Sequence, residues 1–143
     1  MSGIHSQRQG RFNEKIVAEI YRGKGFDVLD LNERGFPDLL ILKDGKIQMF
    51  IEVKGGGKKE VQMKHNGFYT LLGQIISRMD IEGNGIKKAR IYAIAIPAEW
   101  ENTFKNKIVK MKYGWKILKL KIFLVTSAGS VKERSYAYFL KRK

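Results

Sequence analysis

Apolar positions along the chain fall into blocks whose period changes, and each change marks an element. Phe12, Ile16, Val17, Ile20 and Tyr21 recur at the spacing of one helix face, and Gly23 and Gly25 end the pattern. A polar arm, residues 1–10, precedes this helix. Phe26–Leu31 then reads as a short strand, and Asn32-Glu33-Arg34-Gly35 as a loop. Asp38–Leu42 and Ile47–Lys54 read as two strands around Lys43-Asp44-Gly45, and Gly55-Gly56-Gly57 interrupts them. Phe68, Leu71, Leu72, Ile75, Ile76 and Met79 form the clearest helical stripe, with Asn66 as the expected N-cap and Gly83-Asn84-Gly85 as the close. Ala89–Ile96 is apolar on both faces, as in a strand buried inside a sheet, and Pro97 stops it. Trp100, Phe104 and Ile108 predict a further helix, Lys116–Val125 a long strand, and Ser135–Leu140 a last strand or helical turn.

The predicted order is α-β-β-β-α-β followed by additions. A hairpin that feeds a helix and then a buried strand implies an α/β fold, a mixed sheet with helices packed on it. The 143 residues carry no repeat and no dividing linker. They are expected to form one domain, with a flexible arm (1–10), a core (11–97) and a basic C-terminal extension (98–143).

Charge sharpens this picture. Lys plus Arg is 28 against 14 acids, a formal net charge of +14, and the excess is uneven. Residues 1–60 carry 11 basic and 9 acidic groups, residues 61–143 carry 17 and 5, and Lys105–Lys121 holds seven lysines and no acid. A field of that sign recruits a polyanion, and the plainer reading is a solvated lysine-rich surface; nucleic acid is the expected partner, and a membrane is not, because no apolar run is long enough to span one. With no cysteine, disulfides, thiol catalysis and cysteine-held zinc or iron–sulfur sites are excluded. No apolar run reaches membrane-spanning length, and the first ten residues lack the apolar core of a signal peptide. A cytoplasmic location is the expectation. His5 and His65 stand alone, so histidine-based catalysis is not expected.

The chemistry concentrates at Asp38, Glu52 and Lys54. Glu52 and Lys54 are two apart on a strand, so both side chains emerge on one face. The orientation of Asp38 depends on the turn. A strict two-residue turn at Asp44-Gly45 sets Asp38 opposite Ile51, on the wrong face. A three-residue loop, Lys43-Asp44-Gly45, sets it opposite Phe50, on the Glu52 face and diagonal to it. A metal site therefore requires the longer turn or a bulge. Mg²⁺ is a hard cation held by one or two carboxylates with waters and substrate phosphate oxygens, which suits Asp38 and Glu52. Lys54, a cation, is suited to orienting the attacking water and to stabilising charge on the phosphoryl oxygens.

The segment from Gly35-Phe36-Pro37-Asp38 to Phe50-Ile51-Glu52-Val53-Lys54 resembles the core motif of the PD-(D/E)XK nuclease superfamily, the restriction endonuclease-like fold shared by archaeal Holliday-junction resolvases. The resemblance covers residues 11–97. It implies an α-β-β-β-α-β core with a mixed sheet flanked by helices, here with C-terminal strand additions. It also implies a metal-dependent phosphodiester hydrolase using Mg²⁺, with Mn²⁺ as substitute, on double-stranded or branched DNA, and a homodimer in the resolvase case. Restriction, repair and exonuclease activities belong to the same superfamily. By resemblance the Val53 carbonyl is a third metal contact and Glu14, in the first helix, completes the acidic cluster; Glu19 is its competitor on the opposite margin. Gly73-Gln74-Ile75-Ile76-Ser77-Arg78 resembles a Gly-Gln segment of several branches, with Arg78 where tyrosine is frequent, and places Gln74 and Arg78 toward the active site or the DNA. Lys58, Lys59 and Lys64, on and after the glycine loop, are positioned to track a strand's backbone. The alternative is a non-catalytic basic nucleic-acid-binding protein that retains the fold.

Overall fold

The computed structural model describes residues 2–30, 38–54, 67–79 and 91–140, the side chains of residues 2–11 and of Arg78 excepted. Helix α1 spans Ser2–Gly23 and so starts ahead of the expected place, taking in the polar residues 2–10. No proline lies in that stretch, and the helix extends through it without needing an apolar face. At the other end Gly25, at φ +92°, turns the chain into strand β1, Asp27–Asp30.

Strands β2 (Leu39–Lys43) and β3 (Lys46–Val53) follow, then helix α2 (Phe68–Arg78) and strand β4 (Ile91–Pro97). A 3₁₀ turn at Ala98–Trp100 leads into helix α3 (Glu101–Ile108) and helix α4 (Lys112–Leu118). Strands β5 (Lys121–Val125) and β6 (Val131–Arg134) and a 3₁₀ turn at Tyr136–Leu140 complete the order. The expected long strand Lys116–Val125 is thus a helix end and a shorter strand. The last segment takes the helical-turn alternative. Asn66 lies outside the described residues; α2 begins after Gly67, which makes no side-chain capping bond.

Among the described residues six strands form one open mixed sheet in sequence order, antiparallel from β1 to β3, parallel from β3 to β5, and antiparallel again at β6. Each face carries its own core. On one, Val17, Ala18 and Tyr21 of α1 pack on alternate strand residues including Leu39, Ile51, Ala93 and Phe123. On the other, Phe68, Leu71 and Ile75 of α2 meet Ile94 and Ile122 together with Phe104 and Trp115 of α3 and α4. Burial on both faces explains why β4 reads as a continuous apolar run. The Trp115 indole also donates to the Tyr136 carbonyl at 2.9 Å, so α4 is fixed at its only fully buried residue.

A register shift in the β2–β3 hairpin decides what lies at its open end. The turn is the two-residue type, with Lys43 paired to Lys46 and both Asp44 (φ 53°) and Gly45 (φ 76°) left-handed. Leu42 pairs with Ile47, but Ile41 pairs with Met49, so Gln48 is an extra residue on β3. This β-bulge moves every later pair by one, which reverses the face that β2 presents relative to β3. Leu39 consequently pairs with Ile51.

Candidate functional site

Past the Leu39–Ile51 pair the same register sets Asp38 across from Glu52. Sequence reasoning left two turn lengths open; the hairpin keeps the short turn and reaches the required register through the bulge. Glu52 is level with Ile94 of β4, whose side chain lies in the α2 core, so Glu52 points to the α2 face. Lys54 follows it by alternation, and Asp38 lies on the same side as Leu40, which clusters with Phe50. Asp38, Glu52 and Lys54 therefore share one face at one end of the sheet.

The backbone between the acids is fixed. The Val53 N–H donates to the Asp38 carboxylate at 2.7 Å, and the Lys54 N–H donates to the Ala95 carbonyl at 2.8 Å. Neighbouring residues of a strand direct their main-chain groups to opposite sides, so the Val53 carbonyl points with its N–H toward the Asp38 side. Among the described residues the β2–β3 ladder ends at the Leu39–Ile51 pair, short of that oxygen. Glu52 is only 3% exposed, an unusual setting for a carboxylate. Burying a charge of this kind is costly without cationic or hydrogen-bonding company.

Helix α1 approaches from the opposite face. Asn13, 1% exposed, donates from Nδ2 to the Lys54 carbonyl at 3.1 Å and ties the helix to the end of β3. Nothing in the apolar stripe pointed to this residue; a buried asparagine next to Phe12 looks like any polar helix position. Glu14 is its neighbour and is half-buried, one turn before the buried Ala18, whereas Glu19 is exposed. Glu14 is thus the acid nearer to the strand end, but it belongs to the other side of the sheet. Among the described residues no group of three or more His, Cys, Asp or Glu side chains is arranged to hold a metal ion. The oxygen donors that the register brings to this strand end are the Asp38 and Glu52 carboxylates with the Val53 carbonyl. This is a hard donor set of the kind Mg²⁺ takes when it retains several waters.

Gln74 is half-buried on α2, over the face that carries Glu52. Its Oε1 is buried and has no hydrogen-bond partner among the described residues. Arg78 is one turn further along α2, and its side chain is outside the described residues, as are Lys58, Lys59 and Lys64. A second residue missed in the sequence is the carboxylate Asp30. It pairs with Leu39 on the sheet, and burial together with the charge of Asp38 raises its pKa, with Arg22 acting in the opposite direction. The end of the sheet thus concentrates negative charge around Asp38.

Comparison with family models, curated proteins and solved structures gives no match to this chain.

Proposed function

We propose that the protein is a Mg²⁺-dependent nuclease that hydrolyses DNA phosphodiester bonds at Asp38, Glu52 and Lys54. The observation that carries this reading is the Gln48 bulge, after which the register, continued past the Leu39–Ile51 pair, sets Asp38 across from Glu52 instead of Ile51. The α-β-β-β-α-β order through β4, with antiparallel β1–β3 and parallel β3–β4, agrees with a restriction endonuclease-like core. A net charge of +14 supplies the attraction for a polyanionic substrate.

Asp38, Glu52 and the Val53 carbonyl would hold the cation. When bound it supplies Lewis-acid polarisation of the phosphate and a more acidic water. The protein's own groups do the rest. The Val53 N–H fixes the Asp38 carboxylate by a charge-assisted bond, and burial of Glu52 keeps its carboxylate from rotating freely into solvent. Lys54 places a positive charge where the pentavalent phosphorus gathers negative charge, a role worth about 3–4 kcal/mol for one well-aimed donor. Asn13 positions that lysine through its carbonyl, and Gln74, on the helix above the same face, offers an acceptor with no partner among the described residues.

The test incubates the protein with linear, nicked, single-stranded and four-way-junction DNA, with Mg²⁺, Mn²⁺ or EDTA. Metal-dependent cleavage that Glu52→Gln abolishes is the expected result. Cleavage of no substrate, with tight DNA binding retained, would instead support the non-catalytic binding protein.

A further inference from the structure

Helices α3 and α4 form a second basic feature that the Asp38–Glu52 site does not use. From residue 102 to residue 132 the chain has no acid, and Lys105, Lys107, Lys110, Lys112, Lys116 and Lys119 fall on these two helices and their ends. Lys121 is paired with Glu133 at 2.6 Å. Lys110, Lys112, Lys116 and Lys119, by contrast, have no ion-pair partner among the described residues. Lys105 and Lys107 rest on the rings of Tyr138 and Tyr69, with Nζ 5.1 and 5.3 Å from the ring centroids.

Two further details separate this face from an ordinary solvated one. Lys119 adopts a left-handed conformation (φ 51°) as it closes α4, a position where glycine is usual and a lysine is strained. Tyr113 is 81% exposed among the lysines and presents an open ring beside them. Lysines supply phosphate contacts, and an exposed aromatic ring suits the sugar or base next to a phosphate.

The location also fits. Both helices lie in the crossover between β4 and β5 and pack on the sheet face that carries Glu52. The crossover leaves β4 at Pro97, level with Val125, and returns at Lys121, level with Ala93. Strand β5 is two strands from β3, a lateral offset of roughly 10 Å. A polyanion extending from the candidate site therefore crosses this layer at short range.

We propose that the exposed lysine face of α3 and α4 is a docking surface for the phosphate backbone of duplex DNA, adjoining the Asp38–Glu52 site. The identity of the polyanion rests on the nuclease reading. The surface itself is tested without catalysis. A fluorescent duplex is titrated with protein in EDTA over a series of salt concentrations. The wild type is compared with the quadruple variant Lys110→Gln, Lys112→Gln, Lys116→Gln, Lys119→Gln. A charge-matched control carries Lys15→Gln, Lys24→Gln, Lys46→Gln and Lys132→Gln on other exposed positions.

Four phosphate contacts contribute about 3.6 to the slope of log K against log salt, so the α3–α4 variant is expected to lose a slope of about 3–4. The control is expected to lose less than half of that, with both variants retaining the wild-type thermal midpoint. An unchanged slope, or equal losses in the two variants, overturns the proposal. So does an α3–α4 variant that binds DNA normally but loses binding to phosphatidylserine vesicles, which would make the surface a membrane contact. Wild-type protein that binds with the expected slope but never cleaves overturns the nuclease reading alone. Glu52-dependent cleavage with an unchanged slope overturns the docking surface alone.

Discussion

The carboxylate of Asp38 accepts the backbone N–H of Val53 at 2.7 Å, joining two positions fifteen residues apart at the open end of a hairpin. The bond fixes the acid against the strand that carries Glu52 and Lys54, and it gives Asp38 a structural role separable from a metal-holding one. Asp38→Ala leaves a part-buried N–H without its charged acceptor and is expected to cost about 1.5–3 kcal/mol. Asp38→Asn keeps an acceptor oxygen and should cost less than about 1 kcal/mol, while metal-dependent cleavage is lost in both. Urea denaturation alongside a cleavage assay separates the two effects; equal stability losses would show that the hydrogen bond contributes little.

Asn13 supplies the second fastening. Its amide is buried and donates to the Lys54 carbonyl, so Asn13→Ala strands that oxygen and should destabilise the fold by about 1–3 kcal/mol. Asn13→Asp is expected to be worse, because a carboxylate would face a carbonyl with no proton between them. Thermal unfolding of both variants checks the order. An aspartate variant as stable as wild type would contradict the bond as drawn.

These two contacts show where the sequence was readable and where it was not. Apolar spacing located β2, β3, α2 and β4, because each buries a regular set of side chains. The Gln48 bulge had no such mark: one polar residue inserted among Lys46, Ile47 and Met49 leaves the apolar alternation ambiguous, and the register depends on it. Helix α4 was hidden for a related reason. It buries only Trp115 and ends on Lys119 rather than glycine, so it offers neither a stripe nor a stop signal. Strand β6, Val-Lys-Glu-Arg, is an edge strand with no buried residue and therefore no pattern to read. Asp38, Glu52 and Lys54 stood out as candidates because their residue types and spacing suit a chemistry; Asn13 and Asp30 acquire significance only through the pairing that surrounds them.

Lys119 separates stability from binding. A left-handed helix close costs a residue with a Cβ up to about 1 kcal/mol relative to glycine. Lys119→Gly should therefore raise the unfolding midpoint, while the slope of log K against log salt for duplex DNA falls by about 0.9 as one phosphate contact is lost. Calorimetry and the salt titration read the two quantities independently. A variant that gains stability and keeps the full slope would remove Lys119 from the docking face.

Tyr21 gives the fold an alkaline limit. Burial, with a smaller contribution from the charge of Glu133, pushes its pKa up to about 12 from an ordinary value of 10.0. The folded state therefore favours the neutral phenol, which the unfolded chain gives up first. Below pH 10 both states hold the proton and stability is unaffected. Between pH 10 and 12 the unfolded state ionises alone, and stability falls as pH rises. Tyr21→Phe has no such proton to lose. Its stability relative to wild type should be constant from pH 7 to 9 and improve steadily above pH 10, as measured by denaturant midpoints at each pH.

Of the two acids on α1, Glu14 is the one placed to serve the proposed site. Glu14 follows the residue that binds the Lys54 carbonyl and is half-buried, whereas Glu19 is exposed more than a turn away. Since α1 packs on the sheet face opposite Glu52, Glu14 would reach the proposed site only around the strand end, and under the nuclease reading it would act on the metal's surroundings. Loss of such a group typically costs about 10–100-fold in metal affinity or activity. Glu14→Gln is therefore expected to reduce cleavage by about that factor and to raise the Mg²⁺ concentration needed for half-maximal rate. Glu19→Gln should leave both unchanged. A Mg²⁺ titration of cleavage rate for the two variants decides it: a loss confined to Glu19→Gln would reverse the assignment. Abolition of all cleavage by Glu14→Gln, at any Mg²⁺ concentration, would make Glu14 a direct ligand and require α1 to move against the sheet when the metal binds.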